Sequence, residues 1–163
     1  MTHTLPMHHF FRNTLHTLAA TLLLLASAGC QQTDNVEGIF SSHRWIFTGF
    51  CYTPNWDTYM SQRLDISLEG YDRQHLATFQ DDGSLFISLD GCKLSGKWSA
   101  DGTSRAFAIS NLHVTEGNPD GIAPYAQKFL DNLKDAAWYR GDTHFLQLFD
   151  ADKHYYLLFG PAE

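Results

Sequence analysis

Two turn signals of the same design constrain this chain more than any other feature. Ala77 to Gln80 and Leu85 to Leu89 flank Asp81-Asp82-Gly83, and Leu94 to Trp98 and Arg105 to Ile109 flank Ala100-Asp101-Gly102. Short apolar runs joined through Asp-Gly are hairpin signals: Gly adopts the positive φ that tight turns need, and Asp bonds its own backbone. Leu64, Ile66 and Leu68 alternate with polar residues, as a half-buried strand does. His43 to Phe50 alternates more loosely around Trp45, Phe47 and Phe50, and Cys51 to Gln62, with Pro54, Asn55 and Asp57, reads as a loop. No long helical stretch interrupts the series, so antiparallel pairing is expected.

A single helix follows. Ile122, Tyr125, Phe129, Leu130 and Leu133 fall at i, i+3, i+7, i+8 and i+11 and make one apolar face. Asp120 is available as its N-terminal cap, and Lys128 and Lys134 in its second half suit the helix dipole. Ala137 to Arg140, Thr143 to Phe149 and His154 to Phe159 then read as closing strands, turning at Gly141-Asp142 and Asp150-Ala151-Asp152-Lys153. If Phe149 opposes His154, Leu146 and Leu148 share a core face with Tyr155, Leu157 and Phe159. The other face is mixed and needs cover, for which the helix is the candidate. The expected fold is mainly β (α+β): a small antiparallel sheet or partly closed barrel with one packed α-helix.

The N-terminus reads as an address. Met1 to Asn13 is polar with Arg12 as its only formal positive charge, Leu18 to Leu25 is apolar, and Ala26-Ser27-Ala28-Gly29-Cys30 is a run of small residues ending in cysteine. That is the secretory signal layout, and the apolar run ending at Gly29 is too short to span a bilayer. Ala26-Ser27-Ala28 fits ordinary signal peptidase. Ser27-Ala28-Gly29-Cys30 resembles the lipobox of bacterial lipoproteins, with Ser27 in place of the usual leucine. The chain has three cysteines, Cys30, Cys51 and Cys92. Lipidating Cys30 leaves a pair for an oxidising compartment, whereas the other route strands one thiol. The expected organisation is a lipoprotein signal peptide over 1–29, a lipid-anchored flexible tether over 30–38, and a folded domain over 39–163. The lipobox resemblance implies acyl chains on Cys30 and stable attachment to membrane lipid. Gln31, rather than Asp, after that cysteine implies the periplasmic face of the outer membrane.

Charge narrows the partners. The chain carries 11 Lys+Arg against 18 Asp+Glu, a net −7, and removing the leader with Arg12 makes the balance more acidic. An acidic domain repels phosphate backbones, which excludes nucleic acid as partner.

No constellation points to catalysis or to a cofactor. Cys51 and Cys92 lack the C-x-x-C spacing of a redox pair. Two readings stay open for them: a structural disulfide, stabilising by about 4 kcal/mol in the chain-entropy model, or two buried free thiols. His43, His75, His113, His144 and His154 do not fall at ligand spacing, so no metal is expected. The acidic turns lack the distal Glu of a calcium loop, and Gly83-Ser84-Leu85 lacks the second glycine of a nucleophile elbow. Tyr52, Trp56 and Tyr59, in the loop after the first strand, read either as an exposed contact patch or as a lid over a barrel mouth.

In order and spacing these segments resemble the META domain of bacterial HslJ-like heat-inducible envelope proteins. Trp45-Ile46-Phe47-Thr48-Gly49 matches its Trp-containing strand, and Gly91-Cys92-Lys93 to Gly96 and Trp98 matches its Gly-Cys-Asn segment with a following Gly and aromatic. Thr115, Phe129, Leu133, Trp138-Tyr139, Leu146-Gln147-Leu148 and Tyr156 to Phe159 complete the resemblance over Ser41 to Phe159. Lys93 stands where that family has Asn, and the family's second cysteine is absent. The resemblance implies no catalytic residues and a part in stress response. The expected function is therefore a non-enzymatic, outer-membrane-anchored lipoprotein that supports envelope integrity or stress tolerance by binding another envelope component. The alternative is a periplasmic small-ligand carrier or enzyme-inhibitor module, in which Tyr52, Trp56, Phe107 and Trp138 would point into a hollow.

Overall fold

The structure is a computed structural model that describes residues 33–162 apart from 59, 65 and 90. The leader, Cys30 and Tyr59 lie outside the described residues. The described chain folds as a mainly β, antiparallel sheet of nine strands with two α-helices. Helix α1 is Val36–Phe40; strands β1 to β6 are Arg44–Tyr52, Gln62–Arg63, Leu76–Phe79, Ser84–Leu89, Cys92–Ala100 and Phe107–Gly117. A 3₁₀ turn, Pro119–Gly121, leads to α2, Pro124–Lys134, and β7 to β9 are Trp138–Gly141, Leu146–Phe149 and Tyr155–Pro161. The strand order is β6-β5-β4-β3-β1-β9-β8-β7, with β2 paired to β1 off that path. The two edges, β6 and β7, approach at a single bridge, Ala106 to Trp138, so the sheet curls into an incompletely closed barrel.

Both Asp-Gly hairpins form. Asp82 accepts from the Ser84 amide at 2.8 Å while Gly83 takes φ +77°, and Asp101 accepts from the Thr103 and Ser104 amides. These amides hold both carboxyls below the ordinary carboxylate range. In β1 the register shifts between Phe47 and Gly49, a β-bulge at Thr48. One extra residue changes which face each following side chain takes. Trp45, Phe47 and Phe50 therefore all reach the main core although their spacing is not a strict alternation, and Cys51 turns to the opposite face.

The main core lies inside the curl and is closed by the helices. Phe40 of α1 is fully buried with its ring 4.7 Å from Trp98, 5.0 Å from Phe79, 5.1 Å from Tyr139 and 5.6 Å from Phe107. The Trp45 indole donates to the Phe40 carbonyl at 3.0 Å. Helix α2 contacts β6 and β9 and buries Tyr125, Phe129, Leu130 and Leu133 in the same core. From Tyr125 on, its apolar stripe is the one the spacing predicts, whereas Ile122 precedes the helix and packs on the core from the segment before it.

Besides the expected tether over 30–38, which is structured from Asp34 on because its amide bonds the Gly102 carbonyl and Asn35 caps α1, four sequence expectations are corrected by the structure. First, Leu64, Ile66 and Leu68 do not form a strand. One edge of β1 pairs with β2 at Cys51 and Tyr52 and with β3 at Arg44 to Ile46, so the chain between them leaves the ladder. Leu64 and Ile66 pack on the core from that irregular segment. Second, Asp120 does not cap α2. The helix starts with Ala123 at the N-cap and Pro124 in its first turn, where the ring's fixed φ is preorganised and its missing N–H costs nothing. Third, Phe149 opposes Tyr156 rather than His154. That slip of two residues preserves every face, so Leu146, Leu148, Leu157 and Phe159 are core as expected, and Tyr155 is half exposed at the strand end. Fourth, Cys51 and Cys92 are both free and buried. They lie on β1 and β5, which β3 and β4 separate, in two different side-chain clusters. Three strand spacings are about 14 Å, and a disulfide needs Cα atoms within about 7 Å.

Candidate functional site

The outer face of β1, β9 and β8 carries a second, smaller cluster of Cys51, Phe149 and Tyr156, with Trp56, Trp138 and Leu158 packed on it. The cover expected from the helix comes here from the loop after β1. That loop is fastened by Arg140, a lone cation in the aromatic strand β7 and almost fully buried. Its Nε donates to Gln147 Oε1 at 2.7 Å, and its Nη1 donates to the carbonyls of Trp56 at 2.7 Å and Thr58 at 3.3 Å. The guanidinium also lies 5.6 Å from the Trp56 ring centre and 5.3 Å from that of Phe149. Lys153 Nζ sits 3.9 Å from the Trp138 ring and 4.8 Å from that of Trp56. Trp56 packs edge-on against Phe149 at 4.6 Å.

The structure separates the aromatic residues singled out in the loop. Trp56 covers the outer face of the sheet. Tyr52 pairs across the ladder with Tyr155, ring centres 5.2 Å apart, and lies 6.0 Å from His154. Phe107 and Trp138, the other two rings that a carrier would direct into a hollow, belong to the two packed clusters, Phe107 inside the barrel and Trp138 beside Trp56. Arg140 and Lys153 were not anticipated. One sign of Arg140 was present: it and Gln147 are lone polar residues in neighbouring apolar strands, and they are directly paired in the ladder.

Beside the Tyr52–Tyr155 pair, α2 and the ends of β1, β9 and β8 enclose a cleft of about 370 Å³. Phe50, Leu64, Leu148 and Leu157 supply apolar lining. Lys128, Asn132 and Asp135 come from α2 and its C-terminus, Asp150 comes from the β8–β9 turn, and Tyr155 opens β9. Lys128 Nζ lies 5.3 Å from the Phe50 ring centre, which aims a cation across the apolar lining. Asp150 is fixed by accepting from the amides of His154 and Tyr155. The volume is that of a small-molecule pocket or of a socket for one or two side chains.

One thiol reaches this cleft. Cys51 lines it, but burial pushes its thiol up, against the opposing effects of the Tyr156 hydroxyl and Arg63. At neutral pH it is a protonated thiol and a poor nucleophile. Burial likewise raises Tyr156 and Tyr125. A second cleft of about 350 Å³, between Arg63, Tyr71 and Tyr125, shares Leu64 with the first. Among the described residues no three His, Cys, Asp or Glu side chains are grouped to hold a metal ion, and no helix is long and apolar enough to cross a membrane.

Comparison with known proteins places the chain. A crystal structure of a DUF4847 family protein from Bacteroides vulgatus ATCC 8482 is similar, with a TM-score of 0.62 and 27% sequence identity over 77% of this chain and 96% of that one. An NMR structure of a protein from Burkholderia xenovorans gives a TM-score of 0.49 and 13% identity over 76% of this chain and 83% of that one. No curated protein matches. The family model that matches is the Domain of unknown function (DUF4847), over residues 31–161. This overturns the resemblance to the META domain: the shared features were single Trp, Gly-Cys and aromatic positions, which strand-rich domains of this size supply independently. The chain belongs to the DUF4847 family.

Proposed function

We propose that this protein is a non-enzymatic, lipid-anchored binding module on the periplasmic face of the outer membrane, and that it holds an envelope protein at the cleft beside α2. The observation that carries this reading is the cleft itself: apolar lining crossed by Lys128, with Asp135, Asp150 and Tyr155 around it. Mixed charge around an apolar floor suits a protein side chain seated in a pocket, the geometry in which interface anchors concentrate. The protonated state of Cys51 supports binding over covalent catalysis. Attachment rests on the Ser27-Ala28-Gly29-Cys30 run.

The test is crosslinking of the native protein in cells, followed by mass spectrometry of what copurifies from membranes. Cys30→Ala with an ordinary secretory signal serves as the released control. One protein enriched at a fixed ratio, and weakened by Lys128→Glu, supports the reading. A copurifying small molecule with no protein partner would replace it with a carrier. The cleft volume accommodates that second reading as well, while the ring-filled barrel interior gives a carrier no hollow beyond the cleft.

A further inference from the structure

The chain just after Cys30 is fastened to the barrel. The Asp34 amide donates to the Gly102 carbonyl at 2.9 Å, and Arg105 grips the Asp34 carboxylate through Nε at 2.9 Å and Nη2 at 3.3 Å. The Asn35 side chain then caps α1, and Phe40 plugs the core. Gln31, Gln32 and Thr33 alone separate Cys30 from this clamp. Four residue steps reach at most about 14 Å even when fully extended.

The clamp sits at a defined end of the barrel. At this end β1 begins and β9 finishes, with the Ala162 amide donating to the Arg44 carbonyl at 2.7 Å. The turns at 81–83, 101–105 and 142–145 share that end, through the pairings of β3 with β4, β5 with β6, and β7 with β8. The Tyr52–Tyr155 pair and Asp150, which mark the cleft, lie where β1 finishes and β9 begins.

We propose that the clamped end faces the phospholipid surface and that the cleft is presented away from it. This rests on the anchored reading above and adds to it an orientation and a reach. Nine residues of β1 span roughly 30 Å along the strand. With the tether, the cleft then stands no more than roughly 45 Å from the leaflet holding the acyl chains. Its partner must place a contact point inside that distance, as the periplasmic side of a protein in the same membrane does. The clamped end exposes Glu37, Asp81, Asp82, Asp101 and Asp142 against Arg44 and Lys97. That acidic excess disfavours insertion among anionic headgroups, so the short tether, and not charge, holds this end toward the lipid.

The experiment uses the native full-length lipoprotein in phosphatidylethanolamine bicelles doped with a gadolinium-chelate lipid, reading paramagnetic broadening of backbone amides. Amides of Asp82, Thr103 and Thr143 should broaden several-fold more than those of Met60 and Tyr155. A Cβ at Gly102 would lie 2.5 Å from the Asp34 carbonyl oxygen, so Gly102→Ala should release the clamp and flatten that gradient. Even or reversed broadening in the native protein, with intact mass showing Cys30 acylated, overturns the orientation alone. A mass without acyl chains on Cys30 overturns the anchored reading, and the orientation with it.

Discussion

Replacing Arg140 with methionine removes the fastening of the loop after β1 while keeping most of the side chain's volume. Two of its hydrogen bonds, to Gln147 and to the Trp56 carbonyl, are 2.7 Å long. Bonds from a charged donor contribute about 1.5–3 kcal/mol each, and a ring contact contributes about 0.5–1 kcal/mol. Against these stands the cost of keeping a guanidinium out of water, several kcal/mol. The net loss of global stability in Arg140→Met is therefore about 2–4 kcal/mol, since Gln147 and two carbonyls lose their donor. The loop itself loses the Trp56 and Thr58 bonds and one ring contact, about 3.5–7 kcal/mol gross and about 3 kcal/mol once the guanidinium's desolvation is set against them, or roughly a hundredfold in the population of its open form. Limited proteolysis by thermolysin reads that population when opening is fast relative to cleavage. Cleavage within 53–61 should accelerate by that order in Arg140→Met. The double variant Arg140→Met/Gln147→Met should recover part of the global stability, because both polar partners are gone, yet leave the loop equally cleavable. Unchanged cleavage in the single variant, or a loop rescued in the double, would refute the assignment of Arg140 as the fastening.

Other consequences follow from the same packing. Phe40→Ala should cost about 4 kcal/mol in a urea titration, as for a fully buried ring; a loss under about 1 kcal/mol would mean that α1 is not part of the cooperative unit. Native protein should leave Cys51 and Cys92 unreactive toward Ellman's reagent, and unfolding in urea without reductant should release both thiols; no release would mean a disulfide. Burial, with the Asp34 carboxylate as the next cause, pushes the Tyr139 hydroxyl up to about 12. The folded form then keeps a proton that the unfolded chain loses near 10. Stability present below pH 10 falls as pH rises toward 12, by about 2–3 kcal/mol for this group. Tyr139→Phe should flatten that part of the profile, and an unchanged slope would assign it elsewhere.

Local patterns carried most of the fold, and long-range geometry carried the rest. The Asp82 and Asp101 turns are local hydrogen-bond chemistry, and both are where the sequence places them. The apolar stripe of α2 is a periodicity, so Phe129, Leu130 and Leu133 could be read directly. A register error of two residues at Phe149 left the faces intact because side chains alternate with period two. Leu64 and Ile66 misled because their alternation is real but the ladder is interrupted: one edge of β1 serves both β2 and β3. The cysteine count likewise carries no distance, and β3 and β4 stand between the two thiols. Asp34 and Arg105 are 71 positions apart, so the fastening of a segment that reads as tether has no local signal. The cleft draws on β1, α2, β8 and β9; of the site residues singled out beforehand, Cys51 lines it and Tyr52 packs beside it against Tyr155.

Site-specific photocrosslinking in cells tests the binding role of the cleft most directly. A photoreactive amino acid replaces either Tyr155, half exposed at the cleft, or Phe86, equally exposed on the outer face of β4. Position 155 should give one adduct of defined mass that weakens in Lys128→Glu, and position 86 should give none. The same adducts from both positions, or from position 86 alone, would contradict a partner seated in the cleft.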